Sequence, residues 1–268
     1  MTTTILVSGA TGTIGREILA ALAAHSEARV LVGTRDPGRA AEQLRHLPGV
    51  RAVELDMDRP ETVAVALTGV DKLAVVSPMT PAMAQQTDVL VSAARRAGVG
   101  HIVRSSLMGV DEPDPIVEAD WHGAADAAVR QSGIPFTILR PTQFFQNFLN
   151  FGNRDSVRDQ GMIYLPLGQS HVSNIDTRDI GACVARVLLT PGTEHHGRAY
   201  VLTGGESVTM DEVAQAMSEA LGKTVRYVPV EEAQYRQGML GAGIPEVIAD
   251  AILGWFAYCR AGRADRVE

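Results

Sequence analysis

Ser8-Gly9-Ala10-Thr11-Gly12-Thr13-Ile14-Gly15 decides how this chain reads. The apolar run Ile5-Leu6-Val7 before it suits a buried strand. Ile14, Ile18 and Leu22 after it recur every four residues, the spacing of one helix face. A glycine motif between a strand and a helix is the setting in which such motifs bind dinucleotides. Gly9 turns the chain off the strand, Gly12 lets a pyrophosphate approach the backbone, and Gly15 lets helix and strand pack closely. The N–H groups that open the helix have no intrahelical partner, so they are available to phosphates.

Working outward, extended segments at 28–33, 51–55, 71–77, 101–105 and 136–139 alternate with helical patterns at 37–47, 81–98 and 117–132 and one that ends near Leu67-Thr68-Gly69. Regular alternation predicts an α/β fold with a doubly wound parallel sheet and helices on both faces. Ligands of such sheets lie beyond the carboxyl ends of the strands. That rule marks Arg35, Asp56, Ser77, Ser105, Ser106 and Pro141. After Pro141 the rhythm changes to short extended pieces at 162–166, 171–174, 198–203 and 225–228, with helices at 177–189, 209–221 and 245–260. The expected organisation is a dinucleotide-binding domain over 1–141 and a smaller α/β substrate-binding lobe over 142–268, with some interleaving of strands.

The chain has 268 residues, of which 46% are apolar, enough for one large domain or a domain and a half. Its net charge of −7, with no basic block, argues against nucleic acid as a partner. Cys183 and Cys259 lie in helical patterns without metal-ligand spacing, so neither a disulfide nor a metal is expected. His195-His196 have no other ligand nearby in sequence and read as loop residues. No apolar run is long enough to span a bilayer, and no leader precedes the first strand. The expectation is a cytoplasmic monomer or homodimer acting on a small molecule.

Arg35 bears on the cofactor. NAD enzymes usually carry an acidic residue at the end of the second strand, bonded to the ribose 2′-hydroxyl. Here the strand ends Val32-Gly33-Thr34-Arg35, and a guanidinium suits a 2′-phosphate, with Arg39 one turn on. Asp36 could still reach a 2′-hydroxyl. NADP(H) is the expected cofactor, with NAD(H) second.

Several motifs together resemble the NmrA-like branch of the atypical short-chain dehydrogenases. They are Gly9-Ala-Thr-Gly-Thr-Ile-Gly15, Thr34-Arg35-Asp36-Pro37, Ser132-Gly133-Ile134-Pro135-Phe136-Thr137-Ile138-Leu139-Arg140-Pro141 and Phe145-x-Asn147. That branch includes NAD(P)H-dependent quinone and azo-dye reductases, triphenylmethane reductases and redox-sensing regulators. The resemblance covers nearly the whole chain and implies a Rossmann sheet of strand order 3-2-1-4-5-6. It implies that Thr11, Gly12, Thr13 and Ile14 meet the pyrophosphate and Arg35 the 2′-phosphate. Asp56 and Met57 would lie near the adenine, Ser77 and Pro78 beside the nicotinamide ribose, and Pro141, Thr142 and Phe144 near the nicotinamide. Members of the branch often continue beyond the point that corresponds to Glu268.

The wider superfamily uses Tyr-x-x-x-Lys in the helix after the fifth strand, the Tyr as proton donor. Here that helix reads Glu118-Ala-Asp-Trp-His122-Gly-Ala-Ala-Asp126, no tyrosine precedes Tyr164, and no lysine lies between Lys72 and Lys223. Glu118 falls near the Tyr position and His122 near the Lys position, while Ser105 or Ser106 takes the superfamily's serine position. Glu118, His122 and Asp126 share one helix face. Two flanking carboxylates would hold His122 as an imidazolium, a proton donor or ribose ligand. The same spacing also fits a solvated polar stripe. Gln143 and Asn147 could orient a substrate carbonyl or cap local backbone. Phe144, Phe148 and Phe151 fall on one helical face, with Phe145 beside them, and read as core or as the wall of a pocket for a flat substrate. Three functions fit: an NADPH-dependent reductase of quinone, azo, imine or enone acceptors; a redox-sensing NADP(H) regulator; and an isomerase, cyclase or dehydratase on the same fold.

Overall fold

The computed structural model describes residues 2–25, 28–47, 49–113, 116–150 and 153–268, with residues 149 and 150 described by backbone alone. In chain order the elements are β1 (Thr3–Val7), α1 (Thr13–Ala23), β2 (Ala28–Thr34), α2 (Pro37–Gln43), β3 (Val50–Glu54), α3 (Pro60–Ala66), β4 (Lys72–Val76), α4 (Met83–Ala97), β5 (His101–Ser105), α5 (Val117–Gln131) and β6 (Phe136–Pro141). Then follow α6 (Asn147–Asn150), α7 (Asn153–Gln160), β7 (Met162–Leu165), α8 (Thr177–Leu189), β8 (Arg198–Leu202), α9 (Met210–Leu221), β9 (Arg226–Pro229), α10 (Glu232–Gly241) and α11 (Glu246–Arg260).

The chain forms two compact units that interleave in sequence. One comprises Met1–Met108, Trp121–Pro141 and Thr177–Val201; the other comprises Gly109–Asp120, Thr142–Asp176 and Leu202–Glu268. The dividing line therefore does not fall once, at residue 141. Residues 177–201 return to the first unit and residues 109–120 belong to the second.

The first unit is a seven-stranded sheet of order β3-β2-β1-β4-β5-β6-β8. Pairing is parallel from β3 through to β6. The order from β3 to β6 is the expected one; β8 extends the edge. One sheet face buries Leu6, Leu31, Leu73 and Ile102 against Val63 and Leu67 beside α3, Leu90 and Ala94 of α4, and Val129 of α5. Each such Leu, Ile or Val side chain contributes about 1.5–3 kcal/mol on leaving water, which is what clamps these helices to the sheet. α1 and α8 pack together, and Gly181 of α8 makes their approach possible. A Cβ there would lie 2.6 Å from the Glu17 carbonyl carbon.

The second unit holds the parallel pair β7-β9 and helices α9 to α11. α9 starts with a reciprocal cap: the Thr209 side chain accepts from the Glu212 N–H and the Glu212 carboxylate accepts from the Thr209 N–H. α11 supplies the apolar face, with Trp255, Phe256, Tyr258 and Cys259 buried. Trp255 stacks on Tyr258 with ring centroids 5.2 Å apart. Among the described residues no helix is long and apolar enough to cross a membrane.

Candidate functional site

The β1–α1 turn is closed by its own backbone, with the Gly12 N–H donating to the Gly9 carbonyl at 3.0 Å. Each glycine has a separate reason to be one. Gly9 sits at φ +61°, and a Cβ on it would lie 2.5 Å from the Val76 carbonyl oxygen. A Cβ on Gly15 would lie 2.3 Å from the Gly9 carbonyl oxygen, so α1 could not begin where it does. Gly12 is different. Its Cβ would meet only that same oxygen, at 3.2 Å, a distance that a small shift relieves. As the N-cap of α1, Gly12 provides no side-chain acceptor to the helix. A helix start without a side-chain cap, fronted by a bare glycine, fits a pyrophosphate. Ser8, fully buried, ties this turn to β4: its hydroxyl accepts from the Val76 N–H at 3.1 Å. Thr11, Thr13 and Ile14 complete the turn and the first helical residues.

Arg35 follows β2 directly and is exposed. Its neighbour Asp36 is the N-cap of α2, where the carboxylate accepts from the Arg39 N–H at 3.0 Å. That contact turns Asp36 toward its own helix. Arg35, just after β2, and Arg39, in the first turn of α2, are exposed and form no ion pair among the described residues, so either guanidinium could take a phosphate. Beyond β3, both Asp56 oxygens are engaged, one by the Asp58 N–H at 3.1 Å and one by Arg59 Nε at 3.2 Å. Those bonds, the Asp58 N–H first, hold the Asp56 carboxyl below the usual range. Met57 packs, half-buried, against the sheet core.

Behind the ends of β4 and β5 lies a polar network that the sequence did not reveal. Arg104 of β5 is fully buried. Its Nε donates to Asp126 Oδ1 at 2.8 Å, Nη1 to Ser77 Oγ at 3.0 Å, and Nη2 to His122 Nδ1 at 3.3 Å, with Met83 Sδ at 3.6 Å. Asp126, 2% exposed, also accepts from the Ser106 hydroxyl at 3.0 Å and from Arg140 Nη2 at 3.4 Å. Ser77 further shares a hydrogen bond with Thr87. Pro78 is exposed.

The picture of His122 as an imidazolium between two carboxylates is corrected by this network. Asp126 faces two arginines and a serine. Burial, and then the Arg104 charge, push the His122 ring down to about 3. Glu118, one turn earlier, makes no hydrogen bond with a described residue, and desolvation raises its carboxyl to about 7. The result is a neutral imidazole whose Nδ1 accepts from a guanidinium. Successive strand residues point to opposite faces, so with Arg104 turned to α5, Ser105 turns away from it. No hydrogen bond joins Ser105 to His122; Ser106 is the serine in the network.

Of the remaining residues singled out in the sequence, Pro141, His195 and His196 lie in the first unit and those from Thr142 to Phe148 in the second. Gln143 is buried and its amide oxygen accepts from Trp255 Nε1 at 2.8 Å, which makes it a support for α11. Thr142 Oγ1 is buried without a partner among the described residues. Phe144 is half-buried and its backbone bridges to Ile175, while Phe148, 5% exposed, takes the core side of the alternatives. Phe145 is 41% exposed. Asn147 opens α6, and Phe151 lies outside the described residues. His195 meets Tyr200 through Nδ1 at 3.1 Å and His196 packs against His101. Among the described residues no cluster of His, Cys, Asp and Glu could hold a metal.

Sequence and structure comparisons agree on one kinship. An NAD(P)H azoreductase of Xenophilus azovorans is 40% identical over 249 residues, covering 92% of this chain and 84% of the relative. The crystal structure of Citrobacter sp. triphenylmethane reductase complexed with NADP(H) superposes with a TM-score of 0.83 at 30% identity, covering 99% of this chain and 92% of that one. The NADPH complex of quinone oxidoreductase QOR2 from Escherichia coli gives a TM-score of 0.84 at 26% identity, over 98% and 91% of the two chains. With residues 1–267 matching its pattern throughout, the chain belongs to the NmrA-like family.

Proposed function

We propose that the protein is an NADPH-dependent reductase that delivers hydride to a conjugated small-molecule acceptor, such as a quinone, azo, imine or enone compound. The observation that carries this reading is the uncapped start of α1 behind Gly12, together with the unpaired Arg35 and Arg39. Likeness to the azoreductase and the triphenylmethane reductase supports it. The N–H groups that open α1 would hold the pyrophosphate, and Arg35 with Arg39 the 2′-phosphate. When bound, the reduced nicotinamide supplies the hydride.

The chain's own residues then set which acceptors work. No Tyr-Lys pair stands in α5, and His122 is neutral. An unactivated ketone gathers a full alkoxide charge as hydride arrives and needs a strong nearby acid. A quinone spreads that charge over its ring, and a weak hydrogen-bond donor suffices. NADPH oxidation by the purified protein should therefore be fast with quinones and azo compounds and slow with simple ketones. Tight NADPH binding with no oxidation across a broad acceptor panel would overturn the reductase reading in favour of a redox sensor.

A further inference from the structure

We propose that buried Arg104 is a positioning residue that locks His122 as the Nε2–H tautomer, so that His122 presents a permanent neutral hydrogen-bond donor to the acceptor's heteroatom. The geometry is one-sided. A guanidinium has donors only, so the 3.3 Å contact from Arg104 Nη2 obliges His122 Nδ1 to accept. In a neutral ring the proton must then sit on Nε2. Nε2 makes no hydrogen bond with a described residue, and it is not among the polar atoms sealed from solvent.

Arg104 cannot turn away from this task. Its side chain is 0% exposed and fastened through Nε to Asp126 and through Nη1 to Ser77, the residue that follows β4. β4 pairs with β1, whose far neighbour is β2, so the order reverses there. That is where ligands of doubly wound sheets bind. The charge that acts on His122 is that of Arg104 from β5; Glu118 and Asp126 lie on the same helix, and the Asp126 carboxylate is taken up by Arg104 and by Arg140 from β6. Burial and the Arg104 charge keep the ring neutral, the direction opposite to that expected from two flanking carboxylates.

The chemistry rests on the reductase reading. As hydride adds to the acceptor, the electron pair of the C=O, C=N or N=N bond moves onto the heteroatom. His122 Nε2–H hydrogen-bonds that atom as its charge builds, as neutral imidazoles can. Water supplies the proton, and His122 begins and ends neutral.

Nitrogen-15 NMR of the imidazole rings, with the His122 signals assigned by their loss in His122→Gln, reads the tautomer without any cofactor. The expected spectrum has an unprotonated Nδ1 and a protonated Nε2, unchanged from pH 8 to pH 5. A protonated Nδ1, or titration near the ordinary histidine value of about 6.5, overturns the proposal. Arg104→Lys keeps a charge but loses the fork, and should bring a mixture of tautomers; a pure Nε2–H form in that variant also overturns it. Should Arg104→Lys not fold, the wild-type spectrum still decides. In turnover with a quinone, His122→Phe should lower kcat roughly tenfold to a hundredfold with little change in NADPH KM, while His122→Gln retains a donor and most of the rate. The expected tautomer in a protein that oxidises no NADPH would remove the reductase reading and leave the Arg104–His122 lock standing.

Discussion

Arg104 Nε meets Asp126 Oδ1 at 2.8 Å, with the two side chains 0% and 3% exposed. The pair joins β5 to α5 inside the first unit. Taking two charges out of water is expensive, and this pair offsets the cost with further bonds, from Ser106 and Arg140 to Asp126 and from Arg104 to Ser77. Asp126→Ala would leave Arg104 buried without its counter-charge. It should lose roughly 3–5 kcal/mol of stability in urea unfolding. The pair replacement Arg104→Met with Asp126→Leu should lose less than Asp126→Ala alone. If the double variant is the less stable, the pair is worth more than its desolvation and this account of it is wrong.

Much of the fold was legible because the first six strands are short apolar runs separated by helical patterns, and the parallel order follows from that rhythm. β8 was legible as a strand but not as a member of the large sheet, since nothing in Arg198–Leu202 states which edge it joins. α7 was missed because Asn153–Gln160 is polar nearly all round, and α10 because Gly238 and Gly241 interrupt a weak apolar pattern. In the candidate site, the glycine turn was legible from the strand and helix that flank it, and Arg35 from its place directly after β2. Arg104 did not, since a charged residue in a strand ordinarily faces solvent, and only the arrival of α5 with Asp126 makes its burial possible. The spacing of Glu118, His122 and Asp126 placed them on one helix face correctly, but not the arginines on β5 and β6 that draw Asp126 away.

Stability should fall in mild acid, because two desolvated histidines outweigh one desolvated glutamic acid. Burial first, then the charges of His196, Lys72 and His195, hold His101 down at about 4, and His122 lies at about 3. Both rings bind a proton in the unfolded chain below about pH 6.5 but not in the fold, so their contribution is lost as pH falls through that window. Glu118 acts oppositely. Its raised value of about 7 means the folded state holds a proton that the unfolded chain releases above about pH 4.5, so its contribution is lost as pH rises toward 7. Between about pH 5 and 6 two protons against one leave a net slope of roughly 1.4 kcal/mol per pH unit toward lower stability in acid. Unfolding midpoints across this range should show it, and His101→Gln should flatten it. An unchanged slope in that variant would show that His101 is not a proton-linked group.

Arg35→Ala should discriminate between the two nicotinamide cofactors. The guanidinium has no ion-pair partner among the described residues, so its removal leaves nothing unpaired and the fold should be unaffected. A charge-assisted hydrogen bond to a 2′-phosphate is worth roughly 1.5–3 kcal/mol, so calorimetry should show NADPH binding weakened about tenfold to a hundredfold. NADH, which lacks that phosphate, should bind almost as before. Parallel loss of both would mean that Arg35 acts on the shared part of the molecule.

The glycine turn offers the sharpest separation of folding from binding. At Gly15 a side chain would run into the Gly9 carbonyl at 2.3 Å, and at Gly9 into the Val76 carbonyl at 2.5 Å with φ at +61°. Gly9→Val and Gly15→Val should therefore lower the unfolding midpoint, because backbone atoms of a packed sheet and helix cannot step aside. Gly12 has only one close neighbour, at 3.2 Å, and its ψ of 178° is open to any residue. Gly12→Val should keep the fold and its circular dichroism while placing two methyl groups over the helix N–H groups. Dinucleotide binding should then vanish in calorimetry, for NADPH and NADH alike, since both carry the pyrophosphate. Normal affinity in a folded Gly12→Val protein would show that the phosphates do not pass over this turn, and with it the reading of α1 as the cofactor's anchor would fall.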